Sequence, residues 1–280
     1  MNRRPLFTAI ALASAMLSTN SLAQDKPIRI ATEGAYAPWN FTVAGGKLEG
    51  FEIDLANDLC TRMKSRCEIV AQDWDGMIPA LNAGKIDVIM AAMSVTEERK
   101  KALAFSDIYA PTSSTFIAAK SEALAALPER GILVNLDKNG PDAERLIQEL
   151  RGVLKGKIIG VQGSTTNTNF IQKYFADAVQ IREYKTTEAH DLDLSSGRID
   201  AVFATITVAK ATLEKPDLAD FRTSGPIFSG GVFGPGVAAA MRQSDTSLLG
   251  TYNAALKSAI ADGTLGKLTT KWFGADLTPK

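Results

Sequence analysis

The chain has 280 residues, of which 45% are hydrophobic and 22% are charged, a composition typical of a globular protein that buries a large core. Its 31 basic and 31 acidic residues cancel at pH 7, so no overall field draws it to nucleic acid or to an anionic membrane surface. The length allows one domain or two.

The first 23 residues are predicted to be a secretory signal peptide. Arg3 and Arg4 precede the apolar run LFTAIALASAML, and Ser21 and Ala23 supply small residues at the positions that signal peptidase reads. An N-terminal membrane anchor is the less favoured alternative, because the run is far shorter than the ~20 residues of a membrane span. We therefore expect an exported mature chain that begins at residue 24.

Export determines how the two cysteines are interpreted. Cys60 and Cys67 lie in the stretch CTRMKSRC, and disulfides persist outside the cytoplasm. We expect one bridge between them, joining the end of an amphipathic helix to the strand that follows. Two reduced core cysteines are the main alternative. A metal site is disfavoured because no histidine lies nearby to complete a ligand set.

Strand and helix signals alternate through the first part of the mature chain. The predicted elements are a strand at 28–32, a helix at 52–64, a strand at 67–71, a helix at 74–84 that ends at Gly84, and a buried strand at 86–92. A βαβαβ order of this kind favours a largely parallel sheet covered by helices.

A similar phrase occurs twice in the chain. AGKIDVIMA at 83–91 is echoed by SGRIDAVFA at 196–204, which indicates two α/β lobes unless the echo is a coincidence. Around the second copy, strands are predicted at 157–162 and 178–184, with helices at 164–175 and 187–197.

Proline and glycine mark two places where the chain is expected to cross between the lobes, at 109–113 and 224–236. The first lobe would then be discontinuous, with residues 24–110 and 228–280, and the second lobe would comprise residues 111–227. After the second crossing we predict a returning strand, a helix ending at Gly263 and a terminal helix through Trp272. Residues 120–156 are interpreted as a loop and helix excursion of the second lobe.

Hydroxyl residues and a cation follow the strand at 86–92. In parallel α/β sheets, ligands collect beyond the carboxyl ends of the strands, where helix N-termini point. Thr96 is suited to cap the next helix, while Ser94 and the Arg99 guanidinium could bind a carboxylate. QGSTTN at 162–167 offers a similar arrangement in the other lobe. Ordinary helix capping is the alternative for each motif.

Aromatic residues follow the first strand and the strand at 67–71. Glu33, Tyr36 and Trp39 lie in ATEGAYAPWNF, and Trp74 lies in QDWDG. Aromatic faces and a carboxylate attract a cation, so a flat guanidinium could stack between two rings while Glu33 binds its edge. Ordinary core aromatics are the alternative.

Over these segments the chain resembles the periplasmic solute-binding proteins for basic amino acids and opines that serve ABC importers. The resemblance covers essentially all of the mature chain, and the segments that carry it are YAPWNF, GKLEGFEIDLANDLC, WDGMIPAL, GKIDVIMAAMSVTEERKKALAFSDIY, GVQGSTT, LSSGRIDAV and GTLGKLTTKWFG. Octopine and nopaline binders look closer than binders of lysine, arginine, ornithine or histidine. The resemblance implies an α/β fold of the type II periplasmic binding class, in which two lobes joined by two crossing segments close over a ligand in their cleft.

The resemblance also implies location and partners. We expect the periplasm, a small-molecule ligand, an inner-membrane ABC permease, a monomer, and neither nucleic acid, metal nor cofactor. The paired cysteines match the family as well.

Residue roles are carried over position by position. Arg99 would hold the ligand's α-carboxylate with Ser94, Ser164 and Thr165, and Tyr36 and Trp74 would sandwich the side chain near Glu33. The full set of predicted ligand-binding residues is Glu33, Tyr36, Trp39, Trp74, Ala91, Ala92, Met93, Ser94, Arg99, Gln162, Gly163, Ser164, Thr165, Thr166 and Thr205.

Two departures from the basic amino acid binders bear on the ligand. Thr205 stands where those relatives have an aspartate that pairs with the α-ammonium, and Ala91 and Ala92 replace two serines. Both changes resemble the opine binders, so an arginine-derived opine of the octopine or nopaline type is predicted. Free arginine or another basic amino acid is the alternative.

A secreted enzyme of the same fold is a remote alternative. His190 is the one histidine of the chain and would have to supply any imidazole chemistry alone. It is interpreted as a polar helix residue, with a minor ligand-lining role as the next alternative. No catalytic residues are predicted.

Overall fold

A computed structural model describes residues 26–121, 123–138 and 140–279. The predicted signal peptide lies outside the described residues. Within the described ranges, no helix is both long and apolar enough to span a membrane.

The described residues form short strands and helices in an alternating order. The strands are β1 (Ile28–Thr32), β2 (Ala35–Tyr36), β3 (Asn40–Thr42), β4 (Leu48–Glu49), β5 (Cys67–Ala71), β6 (Val88–Ile89), β7 (Leu103–Phe105), β8 (Ser114–Ala119), β9 (Leu133–Asn135), β10 (Ile158–Gln162), β11 (Gln180–Tyr184), β12 (Ala201–Thr205), β13 (Phe221–Ser229) and β14 (Ala240–Arg242). The helices are α1 (Phe51–Arg62), α2 (Met77–Asn82), α3 (Glu97–Lys100), α4 (Gly140–Leu154), α5 (Thr166–Phe175), α6 (Thr187–Ser195), α7 (Ile206–Thr212), α8 (Thr246–Ala261) and α9 (Thr264–Phe273).

The strands divide into two lobes of mixed sheet, as the predicted fold class requires. The first lobe has a five-stranded sheet in the order β5-β1-β6-β14-β7 and a small sheet β2-β3-β4, and the second lobe has a six-stranded sheet in the order β11-β10-β12-β8-β13-β9. The expectation of largely parallel sheets is wrong in one respect. Strands β8 and β14, each of which follows a crossing between the lobes, run antiparallel to both of their neighbours.

The two crossing segments lie side by side. The Tyr109 N–H donates to the Val237 carbonyl over 3.0 Å, and the Val237 N–H donates to the Ala110 carbonyl over 2.9 Å. Gly234 has a φ of 70°, and a Cβ there would lie 1.9 Å from the Val95 carbonyl oxygen, so only glycine fits. Strand β13 belongs to the second sheet as far as Ser229, two residues beyond the predicted boundary at 227. The exact lobe boundaries stay a prediction.

The excursion at 120–156 is more regular than its sequence pattern indicated. Helix α4 spans 15 residues, and β9 pairs in parallel with β13 at the sheet edge. Five buried apolar side chains of α4 recur at helical spacing and join the core of the second lobe: Ala143, Leu146, Ile147, Leu150 and Leu154.

The predicted disulfide is confirmed. Cys60 in α1 is bonded to Cys67 at the start of β5, with their Cα atoms 6.1 Å apart. The bridge therefore ties a helix that packs on the first-lobe sheet to the edge strand of that sheet.

Candidate ligand-binding cleft

A cleft of about 410 Å³, open solvent at its mouth included, lies between the lobes. The side chains that line it come from strand ends, helix starts and both crossing segments: Glu33, Tyr36, Trp39, Trp74, Ala91, Ala92, Ser94, Arg99, Thr112, Gln162, Thr165, Thr166, Asn167, Thr205 and Val237. Within this lining, Arg99 is the one cation and Glu33 is the one carboxylate.

Arg99 is held at one end of the cleft by the short helix α3. Thr96 caps this helix, and its hydroxyl accepts from the Arg99 N–H over 3.2 Å. The guanidinium donates to the carbonyls of Ser94 (3.0 Å) and Ser164 (3.4 Å) and lies 5.3 Å from the Trp74 ring centroid. No described carboxylate forms an ion pair with it, and burial lowers the pKa of Arg99 to about 10. The guanidinium can therefore still bind an anion.

Hydroxyl groups of both lobes lie beside the Arg99 guanidinium. The Ser94 and Thr166 hydroxyl oxygens are 3.5 Å apart across the cleft. The Thr165 hydroxyl caps α5 by accepting from the Thr168 N–H over 3.3 Å, so capping and lining of the cleft occur in the same residue. Ser164 has a left-handed φ of 57°, a strained conformation for a residue other than glycine, and it directs its carbonyl towards both Arg99 and the Trp74 indole.

Glu33 follows β1 and faces the second lobe. Its Oε1 accepts from Gln162 Nε2 over 2.6 Å, which joins the two strand ends directly. Burial raises the pKa of Glu33 to about 7, against the opposing effect of the Gln162 hydrogen bond. A cation bound here would favour the ionised carboxylate.

The aromatic residues occupy different depths. The Tyr36 hydroxyl bonds Thr205 Oγ1 over 2.9 Å, and Trp74 Nε1 donates to the Ser164 carbonyl over 3.2 Å. Trp39 is only 1% exposed, packs on Phe51 and Phe273, and donates to Thr207 Oγ1 in α7 over 2.8 Å. Trp39 thus combines a core position with a hydrogen bond between the lobes.

The structure brings together all but three of the predicted site residues. Met93 is 1% exposed and lies in the first-lobe core, Gly163 is bonded through its N–H to the Tyr184 carbonyl, and Ser164 contributes its carbonyl at the edge of the cleft. His190 is buried in α6 beside Asp191 and does not line the cleft.

Sequence reasoning missed Thr112, Asn167 and Val237, which also line the cleft. Thr112 and Val237 lie in or next to the crossing segments, and Asn167 ends the QGSTTN stretch. The proline and glycine signals at the crossings were the available hint, since segments that pass between two lobes form the floor of the cleft.

Residues 28–275 match the bacterial extracellular solute-binding proteins, family 3. The chain belongs to this family. This family 3 protein is 44% identical over 282 residues to the octopine-binding periplasmic protein of Rhizobium meliloti, an alignment that covers 94% of this chain and 96% of the relative. It is 33% identical to the L-arginine-binding protein of Pseudomonas aeruginosa, with 95% of each chain covered.

A solved structure of an ancestral arginine-binding protein bound to arginine is also similar. It superposes with a TM-score of 0.75 at 32% identity, covering 90% of this chain and all of the other. These relatives are solute-binding proteins, so the family 3 protein is a solute-binding protein of the amino acid and opine type. Among the described residues, no cluster of three or more His, Cys, Asp or Glu side chains could hold a metal ion.

Proposed function

We propose that this family 3 protein is the periplasmic substrate-binding component of an ABC importer and that it binds an arginine-derived opine of the octopine or nopaline type. The observation that carries the proposal is the lining of the cleft, with one guanidinium, one carboxylate and three aromatic side chains, two of which, Tyr36 and Trp74, could flank a ligand side chain. Arg99 would bind the α-carboxylate, Tyr36 and Trp74 would flank the side chain, and Glu33 would bind the ligand's guanidinium.

The charges available in the cleft favour an opine over the free amino acid. With Arg99 and Glu33 used by the α-carboxylate and the guanidinium, the ammonium of arginine would face hydroxyls such as those of Thr205 and Thr112 without a protein carboxylate. The secondary ammonium of an opine carries its own carboxylate on the added substituent. The short side chains of Ala91 and Ala92 leave more space for the added substituent of an opine than serines at these positions would.

Similarity to the octopine-binding protein supports this ligand class, whereas similarity to the arginine-binding proteins supports arginine as the second candidate. We further propose an inner-membrane permease as the partner of the closed form and a monomeric state in the periplasm.

A calorimetric titration tests the proposal. Protein exported to the periplasm, stripped of bound solute by unfolding and refolding, is titrated with octopine, nopaline, arginine, lysine, histidine and glutamine. An opine that binds at least about tenfold more tightly than arginine, a difference of about 1.4 kcal/mol, supports the proposal. Tighter binding of arginine would replace it by the second candidate, and binding of none of these ligands would overturn both.

A matched variant tests the charge argument. Thr205→Asp adds a carboxylate beside the expected position of the α-ammonium, so it should strengthen arginine binding and weaken opine binding through repulsion of the second carboxylate. Thr205→Asn, which adds similar volume without charge, serves as the control.

A further inference from the structure

Glu52 is a buried carboxylate outside the lining of the cleft. It lies in the first turn of α1 and is 1% exposed. Its Oε1 accepts from the Ala92 N–H over 2.7 Å and from the Tyr109 hydroxyl, and its Oε2 accepts from Asn40 Nδ2 over 2.6 Å. Three donors from three separate segments thus converge on one carboxylate.

Asn40 extends this contact to the loop after β1. It is fully buried, and its Oδ1 accepts from the Gly34 N–H over 2.8 Å. Gly34 directly follows Glu33, the carboxylate of the cleft. The orientation of the Asn40 amide is therefore fixed from both sides, with its nitrogen towards Glu52 and its oxygen towards Gly34.

The contact with Ala92 stabilises a strained turn. Ala92 lines the cleft after β6 and has a left-handed φ of 49°, which costs about 1 to 2 kcal/mol for a residue with a Cβ. Its N–H donates to the Glu52 carboxylate. The third donor, Tyr109, precedes Ala110 in the first crossing segment.

Packing alone does not account for an acid at this position. Among the described residues, Glu52 forms no ion pair, and burial raises its pKa. An apolar side chain would avoid the cost of burying a carboxylate. What the carboxylate supplies instead is acceptor capacity for three donors at defined positions.

We propose that Glu52 is a positioning residue for ligand binding: acting through Asn40, it sets the loop that carries Glu33 and, acting directly, the turn that carries Ala92. The inference rests on the proposed function for its effect on affinity. Its geometric part, the fixing of the two backbone amides, stands without a ligand.

Glu52→Gln tests the arrangement because it changes the polarity of one group at nearly constant shape. The new amide nitrogen faces either the Asn40 nitrogen or the Ala92 N–H. In the first case the Asn40 amide turns over and leaves Gly34 without its acceptor, and in the second Ala92 loses its acceptor. One unsatisfied buried amide should weaken octopine or arginine binding about tenfold.

A compensating variant restores the pattern. In E52Q/N40D the new amide nitrogen donates to the carboxylate introduced by N40D, and the other oxygen of that carboxylate accepts from Gly34. The double variant should therefore bind within about threefold of the wild type, whereas E52Q should not. Asp87→Asn is the matched control, because Asp87 serves a polar network with Arg29 and Arg242 at the opposite end of β6. It should lower stability and leave affinity unchanged.

Amide hydrogen exchange supplies a readout that needs no ligand. E52Q should speed exchange at Gly34 or Ala92 relative to β1 and β6, and E52Q/N40D should reverse the change. If E52Q does not fold, Tyr109→Phe, which removes one donor at unchanged charge, replaces it and should give a smaller loss of affinity. Unchanged affinity and exchange with a lowered Tm, or no rescue by the double variant, would overturn the proposal. A wild type that binds no probe would overturn the proposed function, and exchange would still decide the role of Glu52.

Discussion

The raised pKa of Glu33 predicts that ligand affinity falls at acidic pH. The carboxyl has a pKa of about 7 because of its burial, so at neutral pH only about half of the sites carry the charge that a guanidinium needs. A bound guanidinium favours the ionised form and lowers this pKa. Affinity should therefore be nearly complete at about pH 8 and be lost progressively as pH falls through the pKa of the free site.

The magnitude follows from linkage. With a free-site pKa of about 7 and a carboxylate that stays ionised in the bound state, affinity for arginine or octopine should be roughly 25-fold lower at pH 5.5 than at pH 7.5. At pH 7, binding should release about half a proton per ligand. The carboxylates of Glu188, Glu52 and Asp75 add to the upward shift, so higher salt should lower the midpoint slightly.

Calorimetry in buffers of different ionisation enthalpy measures both quantities. Glu33→Gln is the control, because it keeps the hydrogen bond to Gln162 possible and removes the titration. His190, the one histidine of the chain, remains in this variant. A pH slope that persists in E33Q, or binding without proton release in the wild type, would refute the assignment of the cation site to Glu33.

Three further predictions concern the carboxylate end, the aromatic wall and the disulfide. Arg99→Ala should cost at least about 2 kcal/mol of affinity through lost charge-assisted hydrogen bonds; near-native affinity by calorimetry would show that the carboxylate lies elsewhere. Trp74→Ala should weaken guanidinium ligands by about 1 kcal/mol more than aliphatic amino acids, and an equal loss for both would remove the stacking role. Replacing Cys60 and Cys67 by serine should lower the free energy of unfolding in urea by about 2.5 kcal/mol, through loop closure, with ligand affinity unchanged. An unchanged urea midpoint would show that the bridge does not constrain the unfolded chain.

Local patterns placed most of the cleft-lining residues that lie between the end of a strand and the start of the next helix. Residues of the stretch after β6 and of QGSTTN after β10 line one cleft, as expected because strand ends and helix starts meet at the same edge of a sheet; their binding of an anion stays a prediction. The pairing of Cys60 with Cys67 followed from export and spacing. The boundaries of β1 and β5 were also correct.

Local sequence patterns did not predict the positions of other residues, because these depend on tertiary contacts. Met93 was placed in the cleft by its neighbours in sequence, but at this strand end its side chain points into the first-lobe core. Thr112 and Val237 line the cleft only because the crossing segments pass beneath it. Glu52 lies in the first turn of α1, where an acid is usually exposed. Its burial depends on Asn40 of β3 and on Tyr109 of the first crossing segment, and the sequence of α1 alone does not reveal these contacts.

The order of strands in the first sheet also has a consequence for how the chain is made. Strand β14 lies between β6 and β7, although it is synthesised more than a hundred residues after both. All six strands of the second sheet, in contrast, lie between Ser114 and Ser229. When the exported chain emerges with its N-terminus first, the second lobe can therefore complete its sheet before the first lobe does. Strands β6 and β7 remain open edges until β14, which pairs with both, is available. The lobe that carries Arg99 and Glu33 becomes competent only when nearly the whole polypeptide has emerged.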